Sequence, residues 1–406
     1  MFKIWKKNTV YITIMQVILL IVNFFVITVI SRNYGASIYG EYASAKSLSV
    51  LIGTLTVMSL ALVVTRVSSK TNSFDKILFF NTYKLILKNS SVGILLAIPI
   101  AIFFGRNTLY VIVFLVGFIF NELIHISLAY FQAKGDFVLS SKQITIRTII
   151  YGVGAWFIVN QKFNIFWVIL FQTLVLLVFF VISYYSLPKS KYGEQKKYNQ
   201  LDIFNSGKKM VLTTFAAALI SEFDIVVIGL FYQGSILGIL AWSRRLLEGL
   251  YQLIGASLDI VFPELTKLTD KNQFISIRSK LKKVFYLSFA FPLFYLTIID
   301  LANEVFVNVL GLEFSTLSEI FSIVLFGLPF MLWTRINIIF ARALHLEVQL
   351  SKTIAYASLI GLFFYFINSK LNLLNIEFII LISQILFASF TNIMIGKKIN
   401  EFGANY

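Results

Sequence analysis

The 406-residue sequence has no cysteine, two histidines, five prolines and few charges, only 13% of its residues. Without cysteine there are no disulfides, no thiolate catalysis and no cysteine-ligated metals. His125 and His345 are too few for a histidine-rich metal centre. A Walker lysine, Gly-x-Gly-x-x-Gly, Gly-x-Ser-x-Gly and His-Glu-x-x-His are all missing, so neither a nucleotide site nor a familiar hydrolase is expected. Any uphill transport must therefore draw on a gradient or a partner. A channel filter and an arginine-repeat voltage sensor are also missing. No cofactor and no metal are called for.

What is abundant is apolar length. Hydrophobic residues make up 58% of the chain and mean hydropathy is +0.83. About a dozen apolar runs follow one another, each of roughly 18 to 25 residues and long enough to cross a bilayer as a helix. A soluble domain of this size could not hide that surface. The sequence therefore predicts an all-α membrane protein with about 12 transmembrane helices. They are expected near 9–30, 41–64, 84–104, 108–132, 144–160, 163–187, 209–232, 236–262, 281–299, 319–341, 353–369 and 374–396. The opening Met-Phe-Lys-Ile-Trp-Lys-Lys resembles a signal n-region. The run from Thr9 to Ile30 is too long for a signal core and lacks a cleavage site, so it reads as an uncleaved first helix.

Net charge is +16. The basic residues lie in short segments between apolar runs and form no separate basic domain, which argues against nucleic acid as a partner. With the N-terminus inside, one face collects Lys3, Lys6, Lys7, Arg66, Lys70, Lys76, Lys84, Lys88, Lys134, Lys142, the lysines of 189–209, the lysines and Arg278 of 267–283, Arg342, Lys352, Lys397 and Lys398. The other holds only Arg32, Arg106, Lys162 and Lys370. A ratio of about six to one puts both termini in the cytoplasm and supports an even helix count. The lysine-rich faces should attract anionic membrane lipids.

The longest connection, Pro188 to Lys208, lies near mid-chain. The expected organisation is an N-terminal six-helix bundle over 1–190, a cytoplasmic linker over 191–208 and a C-terminal six-helix bundle over 209–406. The halves look related. Tyr39 to Leu48 aligns with Leu237 to Leu246, which sets Gly40 against Gly238 and Lys46 against Arg244. Phe103-Phe104-Gly105 likewise matches Val309-Leu310-Gly311. Both halves start on the same side, so the repeats are expected to be parallel.

Charges inside apolar helices cost about 2.5–3.5 kcal/mol each at the helix centre, and they mark cavities or partners. They are Glu41 and Lys46 on the second helix, Glu122 on the fourth, Arg147 on the fifth, Glu222 and Asp224 on the seventh, Arg244, Arg245, Glu248 and Asp259 on the eighth, and Arg335 on the tenth. Glu248 shares a helix face with Arg244, can also reach Arg245, and lies three turns from Asp259. Arg244 and Arg245 diverge by about 100°, so at most one points straight into a central cavity. A structural pair pinning the eighth helix to a neighbour is the competing reading. Arg147 and Arg335 fit two readings, as cavity ligands or as snorkelling residues near helix ends. Glu222 and Asp224 diverge by about 200° and cannot share one cavity. Asp224 with Glu122 is the better pairing for a proton or cation site. Glu122 and His125 share a face, but nothing supplies a third metal ligand.

Several of these segments resemble Wzx-type polysaccharide flippases of the multidrug/oligosaccharidyl-lipid/polysaccharide exporter superfamily. Tyr34-Gly35-Ala36-Ser37-Ile38-Tyr39-Gly40-Glu41-Tyr42 resembles the turn into their second helix. Asp224 to Gly229, Gly234 to Ala241, and Phe262-Pro263-Glu264-Leu265 resemble its second-half counterpart. Leu310-Gly311-Leu312-Glu313-Phe314 resembles the turn before the tenth helix. The resemblance covers nearly the whole chain, and its specificity comes from motif order. It implies two six-helix bundles around a V-shaped central cavity, working by alternating access. The implied cargo is an undecaprenyl-diphosphate-linked oligosaccharide, an O-antigen or capsule/exopolysaccharide repeat unit, moved to the outer leaflet of the bacterial inner membrane. The family's cationic cavity maps onto Lys46, Arg244 and Arg245, with Arg147 and Arg335 as further substrate ligands. Asp224, Glu122, Glu248 and Asp259 become the residues for H+ or Na+ coupling. A polysaccharide polymerase and chain-length proteins are the implied protein partners. The chain lacks the two extra C-terminal helices of the lipid II flippase branch, which argues against that substrate.

Two other functions fit the same length and helix count. An O-antigen polymerase-like membrane glycosyltransferase would carry a sizeable external loop, and the longest here is about Asp300 to Ser318. A MATE-like small-molecule exporter would favour acidic cation-binding residues over a cationic cavity. The expectation is accordingly a transporter and not an enzyme.

Overall fold

The computed structural model describes residues 2–70, 75–134, 136–188, 200–258, 265, 271–344, 346–371 and 375–401. Among them the regular structure is helical throughout. α1 (Phe2–Val57) is broken at Gly35, whose φ of 80° and ψ of 170° no helix contains, so it forms two arms, 2–34 and 36–57. The arms are the first two expected spans. α2 (Leu60–Lys70) prolongs the second arm after Met58 and Ser59, both at positive φ. Then come α3 (Lys76–Phe103), α4 (Thr108–Ala133), α5 (Phe137–Asn160) and α6 (Ile165–Tyr185). The second half is built from α7 (Gln200–Phe231), α8 (Ser235–Leu258), α9 (Lys271–Ser288), α10 (Ala290–Thr297), α11 (Ile299–Leu310), α12 (Leu317–Leu325), α13 (Gly327–Ala343), α14 (Glu347–Leu371) and α15 (Ile376–Glu401).

Taking α9–α10 and α12–α13 as one bent segment each, the described residues hold twelve long helical segments, six per half. By length and apolar composition alone, six helices could cross a membrane, or eight if each of two bent pairs is one span. One such pair turns by 73° between α10 and α11, and the other by 43° between α12 and α13.

Short polar residues start the helices of the first half. Asp75 accepts from Leu78 N–H at 3.0 Å, Asn107 from Leu109 at 3.1 Å, Asp136 from Leu139 at 3.3 Å and Asn164 from Phe166 at 2.9 Å. Each satisfies amide groups that the first helical turn leaves without partners. Two helices therefore begin earlier than apolar length suggests: α3 at Lys76 instead of 84, and α5 at Phe137 instead of 144. The expected outside segment from Asp300 is also largely helical. α11 carries Asp300 and Glu304 with Leu301, Val305 and Val309, an amphipathic arrangement that a test for continuous apolar length passes over.

The chain divides into two compact units. One comprises Met1–Tyr34 and Ser44–Thr214, the other Gly35–Ala43 and Phe215–Tyr406. In the first, α4 packs against α6, α2 and α3. In the second, α15 packs against α13 and α14 over a core that includes Phe340, Tyr365 and Phe387. The nine residues 35–43, sequentially part of α1, belong to the second unit.

Candidate functional site

Inside the first unit lies a cavity of about 370 Å³ between the α1 arms, α4, α5 and α6. Lys46 of α1 and Arg147 of α5 both line it, joined by Asn23, Asn121, Tyr151 and Gln172. No aspartate or glutamate is among its described lining residues. Two buried polar atoms at its wall, Arg147 Nη1 and Gln172 Oε1, have no hydrogen-bond partner among the described residues. The wall is built by close helix packing. A Cβ on Gly117 would stand 2.9 Å from Thr173 Oγ1, a hydroxyl that donates to Val113 O of α4 at 3.1 Å. Donors of this kind, including a forked guanidinium and an ammonium, suit an anion with many acceptor oxygens.

A second cavity of about 320 Å³ adjoins it in the same unit. Glu122 and His125 line this one, with Thr54, Ser59 and Gln132. Phe118 lines both cavities. The two cavities thus lie along adjacent stripes of α4.

The remaining sequence candidates fall in the second unit. Arg244 and Asp224, each with a side chain 1% exposed, form an ion pair, Nε to Oδ2 at 3.3 Å. Asp224 also accepts from Tyr365 Oη at 3.1 Å, Ser383 Oγ at 2.7 Å and Gln384 Nε2 at 2.8 Å. Arg244 Nη2 donates to Ile220 O at 2.7 Å, and Nη1 lies 3.1 Å from Met331 Sδ. Five helices thus meet at one buried charge pair. Arg245 turns to different partners, Glu222 at 3.1 Å and Glu248 at 2.5 Å. Glu248 is therefore joined to Arg245, and Gln252 donates to it at 3.2 Å. Arg335 stacks over Tyr251 at 5.1 Å, and Gly255 leaves it room, since a Cβ there would lie 2.2 Å from its Nη1. Asp259 lies outside the described residues, as does His345.

The two glycines aligned by the internal repeat meet within this second unit. A Cβ on Gly40 would come 2.7 Å from Gly238 N, and one on Gly238 would come 1.8 Å from Ala36 O. Tyr39 and Trp242 pack nearby with their rings tilted by 49°, 6.4 Å between centroids. Glu313 Oε2 accepts from Ala36 N–H at 2.7 Å, capping the second arm of α1 from 277 residues away. Glu313 also crowds Gly35, where a Cβ would lie 2.7 Å from the same oxygen.

Reading charges alone passes over Asn23, Asn121 and Gln172 at the first cavity and Ser383 and Gln384 around Asp224. Each lies inside a long apolar helix, so polar amides and hydroxyls there carry the same signal in weaker form. Among the described residues no group of histidine, aspartate and glutamate could hold a metal ion.

These features define an all-helical, multi-pass membrane protein. The chain belongs to the polysaccharide biosynthesis protein family, whose model matches residues 63–319, more than half of its length. No match was found among curated protein sequences. Its fold is shared with solved structures of the MOP exporter superfamily. A lipid II flippase MurJ in an inward closed conformation superposes with a TM-score of 0.66 at 17% identity, covering 98% of this chain and 90% of that one. The MATE multidrug transporter DinF-BH gives 0.61 at 13% identity, covering 98% and 96%. A MOP superfamily transporter from Pyrococcus furiosus, described as having a binding pocket of reverse polarity, gives 0.52 at 13% identity, covering 98% and 96%.

Proposed function

We propose that the protein is a flippase for undecaprenyl-diphosphate-linked oligosaccharide repeat units. It carries them from the cytoplasmic to the outer leaflet of the bacterial inner membrane by alternating access, with both termini cytoplasmic. The observation that carries this reading is the cavity shared by Lys46 and Arg147, with no acid among its described lining residues. A lipid diphosphate concentrates negative charge that must leave water to cross hydrocarbon. Charge-assisted donors in a protein-lined cavity replace its hydration. Asn23, Asn121, Gln172 and Tyr151 add neutral donors and acceptors suited to sugar hydroxyls. Membership of a polysaccharide biosynthesis family supports the class of cargo. A MATE-like exporter of cationic small molecules would be served poorly by a cavity whose described lining holds two cations and no carboxylate.

In this reading Lys46 and Arg147 hold the phosphates. Arg244 acts as the counter-ion of Asp224 and keeps the second unit together. Arg245, held by two carboxylates, and Arg335, stacked on Tyr251, serve the same structural end.

The test is export of the glycan from cells carrying Lys46→Ala, Arg147→Gln or Arg147→Lys in place of the native chain. The first two should lose surface polysaccharide and accumulate the lipid-linked repeat unit inside, at normal protein abundance. Arg147→Lys should keep part of the function, because charge survives while bidentate geometry does not. Wild-type glycan export by Lys46→Ala and Arg147→Gln would refute the cationic-cavity mechanism.

A further inference from the structure

The second unit holds an arginine without an acid. Arg244 and Arg245 pair with carboxylates, whereas Arg278 of α9 forms no ion pair among the described residues. Its surroundings are neutral and hold it in place, because α9 packs against both α13 and α15. Arg278 Nη2 donates to Asn392 Oδ1 at 2.8 Å, and to Asn337 Oδ1 and Asn392 O at 3.3 Å each. Both amides are themselves oriented. Trp333 Nε1 donates to Asn392 Oδ1 at 3.1 Å, and Asn337 Nδ2 donates to Thr391 Oγ1 at 3.2 Å. The guanidinium also lies over the Trp333 ring, 5.7 Å from its centroid, a cation–π contact.

All of these acceptors converge on one nitrogen, while a guanidinium carries donors on three. Nε is buried without a partner, and Nη1 makes no hydrogen bond among the described residues. Nη1 faces Gly396 of α15. A Cβ on Gly396 would meet Nη1 at 3.8 Å and no other described atom within 4 Å. The missing side chain thus leaves a notch on α15 bordered by a cation without a counter-charge. Lys282 lies one turn past Arg278 and Lys397 follows Gly396, and both are exposed. No aspartate or glutamate occurs in 271–299 or in 378–400. Farther along the same two helices the exposed surface is apolar, with Tyr286 and Leu287 on α9 and Ile393 on α15. Both helices lie in segments long and apolar enough to cross a membrane.

We propose that this notch between α9 and α15 binds the headgroup phosphate of an anionic phospholipid. Arg278 Nη1 donates to the phosphate oxygens, Lys282 adds a second positive charge, and the acyl chains lie on the apolar surface beyond. Charge-assisted donors of this kind replace the water around a phosphate. Basic pockets between membrane helices recognise anionic headgroups by the same chemistry. A free anion would meet the cations and leave the apolar surface uncovered. A zwitterionic lipid would bring its own ammonium against Lys282 and Lys397. The site lies on the lysine-rich face of the chain, so the lipid belongs to that leaflet. It is separate from the cavity of the first unit and independent of the cargo carried there.

The experiment is native mass spectrometry of the purified full-length protein titrated with phosphatidylglycerol or with phosphatidylcholine of the same acyl chains. The native protein should retain phosphatidylglycerol in preference to phosphatidylcholine. Arg278→Gln should weaken retention of phosphatidylglycerol by at least about tenfold, the worth of a charge-assisted hydrogen bond. Gly396→Leu fills the notch and leaves every charge and the amide cradle in place, and it should cause a similar loss. Leucine is the better helix former, so its melting temperature should hold or rise, which separates loss of the site from loss of the fold. If Arg278→Gln does not fold, Gly396→Leu decides alone. Lys84→Gln combined with Lys88→Gln removes two exposed charges of the same lysine-rich face from α3 and should leave retention unchanged. Equal retention of the two lipids, native retention in Gly396→Leu, or an equal loss in the α3 variant overturns the proposal. So does displacement of phosphatidylglycerol by an equal concentration of inorganic phosphate, which would make this a site for a free anion. Tighter retention of undecaprenyl phosphate than of phosphatidylglycerol would overturn it in favour of a cargo lipid.

Discussion

Asp224→Asn tests what the buried pair in the second unit is for. The substitution is nearly isosteric and keeps an oxygen for Tyr365, Ser383 or Gln384, but it removes the charge facing Arg244. The guanidinium is then left at 1% exposure with a carbonyl at 2.7 Å and a thioether sulfur at 3.1 Å. Removing one partner of a buried ion pair costs about 3–5 kcal/mol. Against a total of about 5–15 kcal/mol for a folded domain, that is a large fraction. For a unit of roughly 200 residues, each kcal/mol moves the melting temperature by about 2–4 °C, so a fall of about 6–20 °C is expected. Asp224→Asn combined with Arg244→Gln removes both charges and retains hydrogen-bonding groups, and it should recover at least half of the lost stability. Thermal unfolding of the purified variants in detergent, followed by intrinsic fluorescence, measures both. If Asp224→Asn melted at the native temperature while glycan export stopped, the pair would not be a structural lock. Asp224 would then be working in ion coupling, the role its position in an apolar helix suggests.

Two further outcomes follow from the same geometry. Gly238→Ala drives a methyl to 1.8 Å of the Ala36 carbonyl oxygen, so the backbone must shift; a loss of about 1–3 kcal/mol is expected, read as reduced abundance and a lower melting temperature. Arg245→Gln leaves Glu222 and Glu248 together without the arginine that joins them and should reduce abundance more than Glu222→Gln, which keeps the Arg245–Glu248 pair, as quantitative immunoblotting of membranes would show.

Apolar length and period carried the fold class. Each run long enough to span a bilayer formed a helix, because a chain in hydrocarbon must satisfy its backbone within the helix itself. Caps such as Asp75 and Asp136 were also local facts, set by short side chains beside the first helical turn. Gly35 needed no distant information either, since it opens the turn motif that splits α1. The repeat register that sets Gly40 against Gly238 could be read in the sequence, as could the pairing of Glu248 with an arginine one turn away.

Which arginine pairs with which acid was a different matter. Arg244 and Arg245 are neighbours in sequence, but Asp224 takes one while Glu222 and Glu248 take the other. That choice depends on the rotation of α8 against α7 and on α14 and α15, whose Tyr365 and Gln384 lie 141 and 160 residues from Asp224. The meeting of Lys46 and Arg147 in one cavity likewise required helices from separate parts of the chain to close around it. So did the placement of residues 35–43 in the second unit, where Glu313 caps their first turn. Helix formation is a local property of the chain, satisfied by bonds within a few residues, so the sequence alone determined it. The partners of a buried charge are selected by helix rotation and packing across the whole bundle, which no local stretch of sequence encodes.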